Sequence, residues 1–150
     1  MTKEEYMQIA IEMAKQAAEK DEVPVGAVIV NNITGEIVAK AGNLSAHVGD
    51  ATSHAEILAI QQACKKLNSN RLWDCDMYVT LEPCTMCAAA VSFARIENLY
   101  FGAEDTKGGA VINGVKFYES PSCHHRPNYE YGILAEECSQ ILKDFFKAKR

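Results

Sequence analysis

No stretch of the 150 residues approaches the run of ~18 apolar residues that crosses a bilayer. Residues 1–20 also lack the basic start, apolar middle and small-residue cleavage site of an export signal. Internal repeats, low-complexity tracts and linker-like stretches are missing as well. These absences argue against membrane-spanning, solenoid and disordered classes, and the expectation is a soluble cytoplasmic protein. Positive charge is scarce: 15 Lys and Arg stand against 20 Asp and Glu, a net charge of −5, which argues against indiscriminate binding to nucleic acid. With 48% hydrophobic and 23% charged residues the composition is globular, and the length suits a single domain over residues 1–150.

The charge is unevenly spread. Over 141–150, four basic residues (Lys143, Lys147, Lys149 and Arg150) accompany one acid, Asp144. Such an end can touch phosphates, or it can simply place cations at the favourable end of a helix dipole. The six cysteines do not form a disulfide framework, because no export signal accompanies them and a chain this long builds a core without staples. Cys64, Cys75 and Cys138 lie in apolar or mixed stretches, where free cysteine behaves as a small buried hydrophobe. Only Cys84 and Cys87 show a ligand spacing.

Periodicity supplies the elements. Tyr6, Ile9, Ala10, Met13 and Ala17 recur at three- and four-residue steps, which predicts an amphipathic helix over 2–20. An apolar strand over 25–30, turn chemistry over 31–35 and a second strand over 36–41 predict a hairpin. A polar loop then leads into a helix over 54–67. Next come a strand over 77–81, a small-residue helix over 84–94 and a short strand over 98–102. Two weak strand candidates, 110–112 and 115–118, precede a loop over 121–127 and a last helix over 133–147. Strands separated by helices predict a layered α/β domain.

Two short motifs carry the chemistry: His54-Ala55-Glu56 and Pro83-Cys84-Thr85-Met86-Cys87. They supply three good zinc ligands, one imidazole and two thiolates, together with a carboxylate that need not bind metal. Zinc is usually tetrahedral, so three protein ligands leave one position for water, which distinguishes a catalytic site from a closed structural one. At a helix start, Cys84 and Cys87 share a face, and the unpaired backbone N–H groups there favour thiolate over thiol. Pro83 suits such a start because no amide hydrogen is needed. Glu56 is then placed to take a proton from zinc-activated water and to return it to a ring nitrogen and a leaving amine. Other readings stay open. Ser53 and Glu56 also fit a capping box, and Cys-x-x-Cys occurs in redox and structural zinc sites too. His124 and His125 point apart in extended chain and make a poor second metal site.

Over nearly its full length the sequence resembles the bacterial tRNA-specific adenosine deaminases of the cytidine deaminase-like superfamily. The resemblance is carried by Val23-Pro24-Val25-Gly26-Ala27-Val28, Asn43, His54-Ala55-Glu56 and Tyr78-Val79-Thr80-Leu81-Glu82-Pro83-Cys84-Thr85-Met86-Cys87. Arg95-Ile96, Phe101-Gly102-Ala103, Asp105, Lys107, Gly132-Ile133-Leu134-Ala135, Glu137-Cys138 and Asp144-Phe145-Phe146 complete it. It implies a three-layer α/β/α fold around a mixed five-stranded sheet, usually as a homodimer. It also implies one zinc ion per chain on His54, Cys84 and Cys87, with Glu56 as proton shuttle. The implied reaction is hydrolytic conversion of adenosine to inosine at the wobble position of an arginine tRNA anticodon, with the base splayed into a pocket over the zinc. In that frame Asn43 bonds the base, and Asp105 and Lys107 lie near the loop nucleotides. Each of these three also reads as an ordinary loop or turn residue, and a loop or RNA-proximal role suits His125 and Arg126. Leu44-Ser45 departs from the basic residue that related sequences often carry after the asparagine. Because the zinc motifs identify chemistry and not the ring, the alternative is a free nucleobase or nucleoside deaminase acting on guanine, cytosine or cytidine. A zinc-stabilised binding protein without catalysis is the third reading.

Overall fold

In the computed structural model, which describes residues 1–149, the first helix forms where the sequence places it; Arg150 of the basic end lies outside the described residues. Helix α1 (Lys3–Glu19) is started by Thr2, whose hydroxyl accepts from the Glu5 N–H at 3.1 Å while Glu5 accepts from the Thr2 N–H at 3.0 Å. Its buried stripe includes Tyr6, Ala10 and Ala17 but is centred on Met7, Ile11 and Ala14, with Ile9 and Met13 only half-buried. Strands β1 (Gly26–Asn31) and β2 (Ile37–Gly42) make the expected antiparallel hairpin. Asn31 builds its turn by accepting from the N–H groups of Ile33 and Thr34. Helix α2 (Ala55–Leu67) leads to β3 (Cys75–Leu81), α3 (Thr85–Phe93) and β4 (Asn98–Ala103), a parallel β–α–β unit. Strand β5 (Asn128–Tyr131) and helix α4 (Ala135–Ala148) finish the chain.

The sheet order is β2-β1-β3-β4-β5, with β1 antiparallel to both neighbours and β3, β4 and β5 mutually parallel, which is the expected mixed five-stranded sheet. Helices α1 and α4 cover one face, and α2 and α3 the other. Strand β1 shows why its sequence is a continuous apolar run. Ala27 and Ile29 enter the core beneath α2 and α3 with Met77, Val79 and Phe101. Val28 and Val30 enter the opposite core with Met7, Ile11 and Cys138. Among the described residues no helix is long and apolar enough to cross a membrane.

Both weak strand candidates are corrected. Residues 110–112 run as irregular chain, because a buried carboxylate takes the amides of Val111 and Ile112. The second candidate becomes a 3-10 turn, Phe117–Glu119, anchored by the Tyr118 hydroxyl donating to the Ala88 carbonyl at 2.8 Å. The fifth strand instead comes from Asn128–Tyr131.

All connections that matter for the site meet at one end of the sheet. Gly26 lies opposite Gly42, and Leu81 beside Ala103, so β1 begins where β2, β3 and β4 end. The ends of parallel strands are where α/β sheets hold ligands. Here α1 sits directly on the start of β1. A Cβ on Gly26 would fall inside contact distance of the Ala10 carbonyl and 2.7 Å from the Ala14 nitrogen, both rigid helix backbone. Gly26→Ala is therefore expected to cost at least about 1–3 kcal/mol in urea unfolding. An unchanged midpoint would show that α1 is not seated against β1 in this way.

Candidate active site

His54 is the N-cap of α2 in extended conformation, and its side chain makes no capping bond. The capping box of Ser53 and Glu56 therefore does not form, since the cap is one residue later and Glu56 falls in the first turn. Cys84 likewise caps α3 without a side-chain cap bond, and Pro83 precedes the cap instead of opening the helix. His54 Nδ1 lies 3.7 Å from Cys84 Sγ and 3.6 Å from Cys87 Sγ. The three ligand atoms all lie within 4.8 Å of one another. Metal–sulfur bonds of ~2.3 Å and metal–nitrogen bonds of ~2.05 Å give a tetrahedron N···S edges of ~3.6 Å, so the spacing fits a single ion. Among the described residues no other His, Cys, Asp or Glu joins this group.

The electrostatics differ sharply between neighbours. Glu56 is buried, and burial pushes its carboxyl up to about 7, with the negative charge of Cys84 adding to the effect. Cys84 is held down at about 5, first by the neighbouring Cys87 thiol and further by the nearby backbone amides at the start of α3 and by His54. Cys87 moves up, first because of the neighbouring Cys84 and then because it is buried. The thiolate is thus favoured where the helix start exposes its amides.

Above this group opens a cavity of about 250 Å³. His54, Glu56 and Cys84 form its floor, Val23, Val25 and Leu81 an apolar side, and Asn43, Ser45, Asp105 and Gly108 the remaining walls. Asn43 is buried in the segment leaving β2. Asp105 is half-buried, and its Oδ1 accepts from the N–H groups of Lys107 at 3.1 Å and Gly108 at 2.9 Å, so it shapes its own turn. Lys107 stands exposed on that turn, outside the cavity lining. The site residues expected from the sequence are therefore gathered at one end of the sheet.

The MafB19-like deaminase family profile matches residues 1–150. The tRNA-specific adenosine deaminase of Agrobacterium fabrum is 51% identical over 145 residues, covering 97% of this chain and 94% of that protein. That of Aquifex aeolicus is 47% identical over 150 residues, covering 100% and 97%. A solved structure from work on A-to-I editing by tRNA:A34 deaminases at the wobble position of transfer RNA superposes with a TM-score of 0.89 at 51% identity, covering 92% of this chain and 99% of that one. The chain belongs to the tRNA-specific adenosine deaminases.

One wall of this deaminase's cavity is held by a residue outside the sequence-predicted site. Glu82 is 2% exposed. Its Oε2 accepts from the N–H groups of Val111, Ile112 and Asn113 at 3.0, 2.9 and 3.1 Å. Its Oε1 accepts from the Asp105 N–H at 2.9 Å and from Asn113 Nδ2 at 2.7 Å. Gly109 is required beside it, since a Cβ there would lie 2.6 Å from Oε1. Glu82 stands in the run that carries the family resemblance, but as a lone acid ending an apolar strand it shows no role of its own there. Of the two roles expected for His125 and Arg126, the bonds they make show the loop role. His125 Nε2 donates to the Ile96 carbonyl at 2.7 Å, and Arg126 donates to the carbonyls of Tyr118 and Ser120 at 2.7 and 3.1 Å, which fixes their loop. At the basic end, Lys149 pairs with Asp21 and lies 5.4 Å from the Phe145 ring centroid, while Lys143 and Lys147 are exposed.

Burial works to raise the Glu82 carboxyl, but its five hydrogen bonds outweigh burial and hold it below its ordinary 4.5. A lowered native value stabilises the fold fully above the ordinary value, and the contribution is lost as pH falls through the native one. Glu82→Gln is expected to cost about 1–3 kcal/mol near neutrality, with the gap to wild type closing in acid unfolding titrations below pH 4.5. A gap independent of pH would contradict an ionised anchor.

Proposed function

We propose that this protein hydrolytically deaminates adenosine to inosine at the wobble position of a tRNA anticodon. The observation that carries the proposal is the His54, Cys84 and Cys87 group beside the buried Glu56 on the floor of a base-sized cavity. Family membership, with named relatives that are tRNA-specific adenosine deaminases, supports the substrate. Zinc, one ion per chain, is the metal that two thiolates and an imidazole suit. When bound, the ion supplies the Lewis acidity that makes a water nucleophilic near neutral pH.

The chain's own groups do the rest. Glu56 takes a proton from the attacking water at its carboxylate and delivers it to the ring nitrogen beside the reacting carbon; it then moves the second proton from the new hydroxyl to the amine, which leaves as ammonia as the C–N bond breaks. Its raised value, about 7, suits a group that must both accept and release protons near neutrality. Asn43 bonds the base edge, and the apolar side of Val23, Val25 and Leu81 keeps bulk water from its faces. Asp105 and Lys107 meet the nucleotides flanking the target, a role supported by their place on the turn that walls the cavity. So small a cavity admits a base and not a stem, which favours a nucleotide splayed from an anticodon loop.

The proposal extends to an arginine tRNA as substrate, a single domain over residues 1–150, a cytoplasmic location and a homodimer. Self-association is supported by an open groove between α2 and α3 that includes Ile60, Ala90 and Phe93, the last 63% exposed. RNA contact by α4 is supported by Lys143 and Lys147 beside Leu142 and Phe146 along another surface groove.

Incubated with zinc-loaded protein, an arginine tRNA anticodon stem-loop is expected to gain inosine at the wobble position. Glu56→Ala should lose on the order of 100-fold or more in rate while keeping its zinc. Efficient turnover of free guanine, cytosine or cytidine without inosine in the stem-loop would replace the tRNA with a small-molecule substrate. Unfolding on metal removal, with no turnover of any base, would favour a zinc-stabilised binding protein.

A further inference from the structure

Glu22 belongs to no motif and is not part of the cavity surface, yet it is only 2% exposed. It lies between α1 and β1, directly after Asp21, which adopts the left-handed conformation at φ +63°. Its carboxylate turns towards the segment that leaves β2. Oε2 accepts from the backbone N–H of His47 and from His47 Nδ1, both at 2.7 Å. Oε1 accepts from the Ala46 N–H at 3.2 Å and from Asn43 Nδ2 at 3.4 Å. Burial works to raise this carboxyl, but the bonds from His47 and Ala46 outweigh burial and hold it below the usual range, so it is ionised at neutral pH.

An ionised carboxylate can only accept hydrogen bonds. Asn43 must therefore turn its nitrogen to Glu22, which leaves its Oδ1 to accept from the Ser45 N–H at 3.4 Å. Reversing the amide would set oxygen against oxygen at Glu22 and N–H against N–H at Ser45. Both repulsions would arise in a site where Asn43 is only 7% exposed and little water can relieve them. The amide in the cavity wall consequently has a fixed polarity, with one N–H and one carbonyl lone pair left for a ligand. Bases differ in the order of donors and acceptors along their edges, so that polarity bears on which base fits.

We propose that Glu22 is a positioning residue for base selection, which through Asn43 sets the donor–acceptor order that the cavity offers to the target base, with His47 completing the clamp from the solvent side. This rests on the proposed contact between Asn43 and the base. Glutamine at position 22 keeps the shape but donates as well as accepts, so the Asn43 amide is released to turn over.

A double-mutant cycle on the zinc-loaded protein tests this, using wild type, Glu22→Gln, Asn43→Ala and the double variant. Turnover is measured on whichever base-bearing substrate the wild type accepts, stem-loop or free base, so failure of the tRNA reading is seen separately from failure of the positioning role. Glu22→Gln is expected to raise KM on the order of tenfold with a smaller change in kcat, and to have no further effect once Asn43 is alanine. His47→Ala removes a half-exposed side chain and should give a smaller KM rise that also vanishes in the Asn43→Ala background. This second arm decides the matter if Glu22→Gln fails to fold. Independently of turnover, the side-chain amide resonances of Asn43 should shift or double in the nitrogen-15 spectrum of Glu22→Gln or His47→Ala. Equal losses in both backgrounds, or Asn43 resonances that do not respond to either substitution, would overturn the proposal.

Discussion

Two helix N-termini meet at one end of a mixed sheet, and the rest of the structure depends on that meeting. His54 caps α2 and Cys84 caps α3, but neither side chain is used for capping. A cap side chain ordinarily stabilises a helix by about 1 kcal/mol. Here both are turned towards one another, with Nδ1 3.7 Å from the sulfur of Cys84 and 3.6 Å from that of Cys87. The unpaired amides at a helix start favour negative charge, which suits thiolates. Strand β3 runs directly into Pro83 and Cys84, and the parallel return through α3 and β4 brings Asp105 back beside them. The hairpin brings Val25 and Asn43 to the same end.

Three buried glutamates surround that meeting point, and their surroundings assign them different work. Glu56 lacks a set of backbone donors to match its burial, so its carboxyl rises to about 7 and suits proton transfer. Glu22 and Glu82 each accept four or more hydrogen bonds and are held low in spite of burial. Such residues are permanent acceptors, and each binds a loop that forms a cavity wall. Glu22 holds the segment of Asn43, and Glu82 the segment of Asp105. The cavity walls are thus irregular chain tied down by buried charge, with the sheet as their common support.

Most of the fold is legible in the sequence because burial imposes a period on it. Both faces of β1 and β3 are covered, so these strands read as apolar runs, and α1 announces itself by its apolar stripe. Strand β5 has no such signature: its four residues are all exposed, and it joins the sheet through backbone pairing with β4. Residues 110–112 look like a strand because they are apolar, while their amides are claimed by a carboxylate 29 and 30 residues earlier in the chain. The ligand group is legible because each motif sits at a helix start. Glu22 and Glu82 are not, since a lone acid acquires its role from partners that only the folded chain brings near. His125 and Arg126 read as loop residues, and they hold their loop by bonding backbone carbonyls.

The whole site turns on an open, three-ligand metal group built from two helix starts. Zinc K-edge X-ray absorption on the purified protein tests it most directly. The expected result is one zinc per chain, with two sulfur neighbours at ~2.3 Å and two nitrogen or oxygen neighbours at ~2.0–2.1 Å, one of them not from the protein. A shell of three or four sulfurs, or a correctly folded protein that binds no zinc, would contradict it.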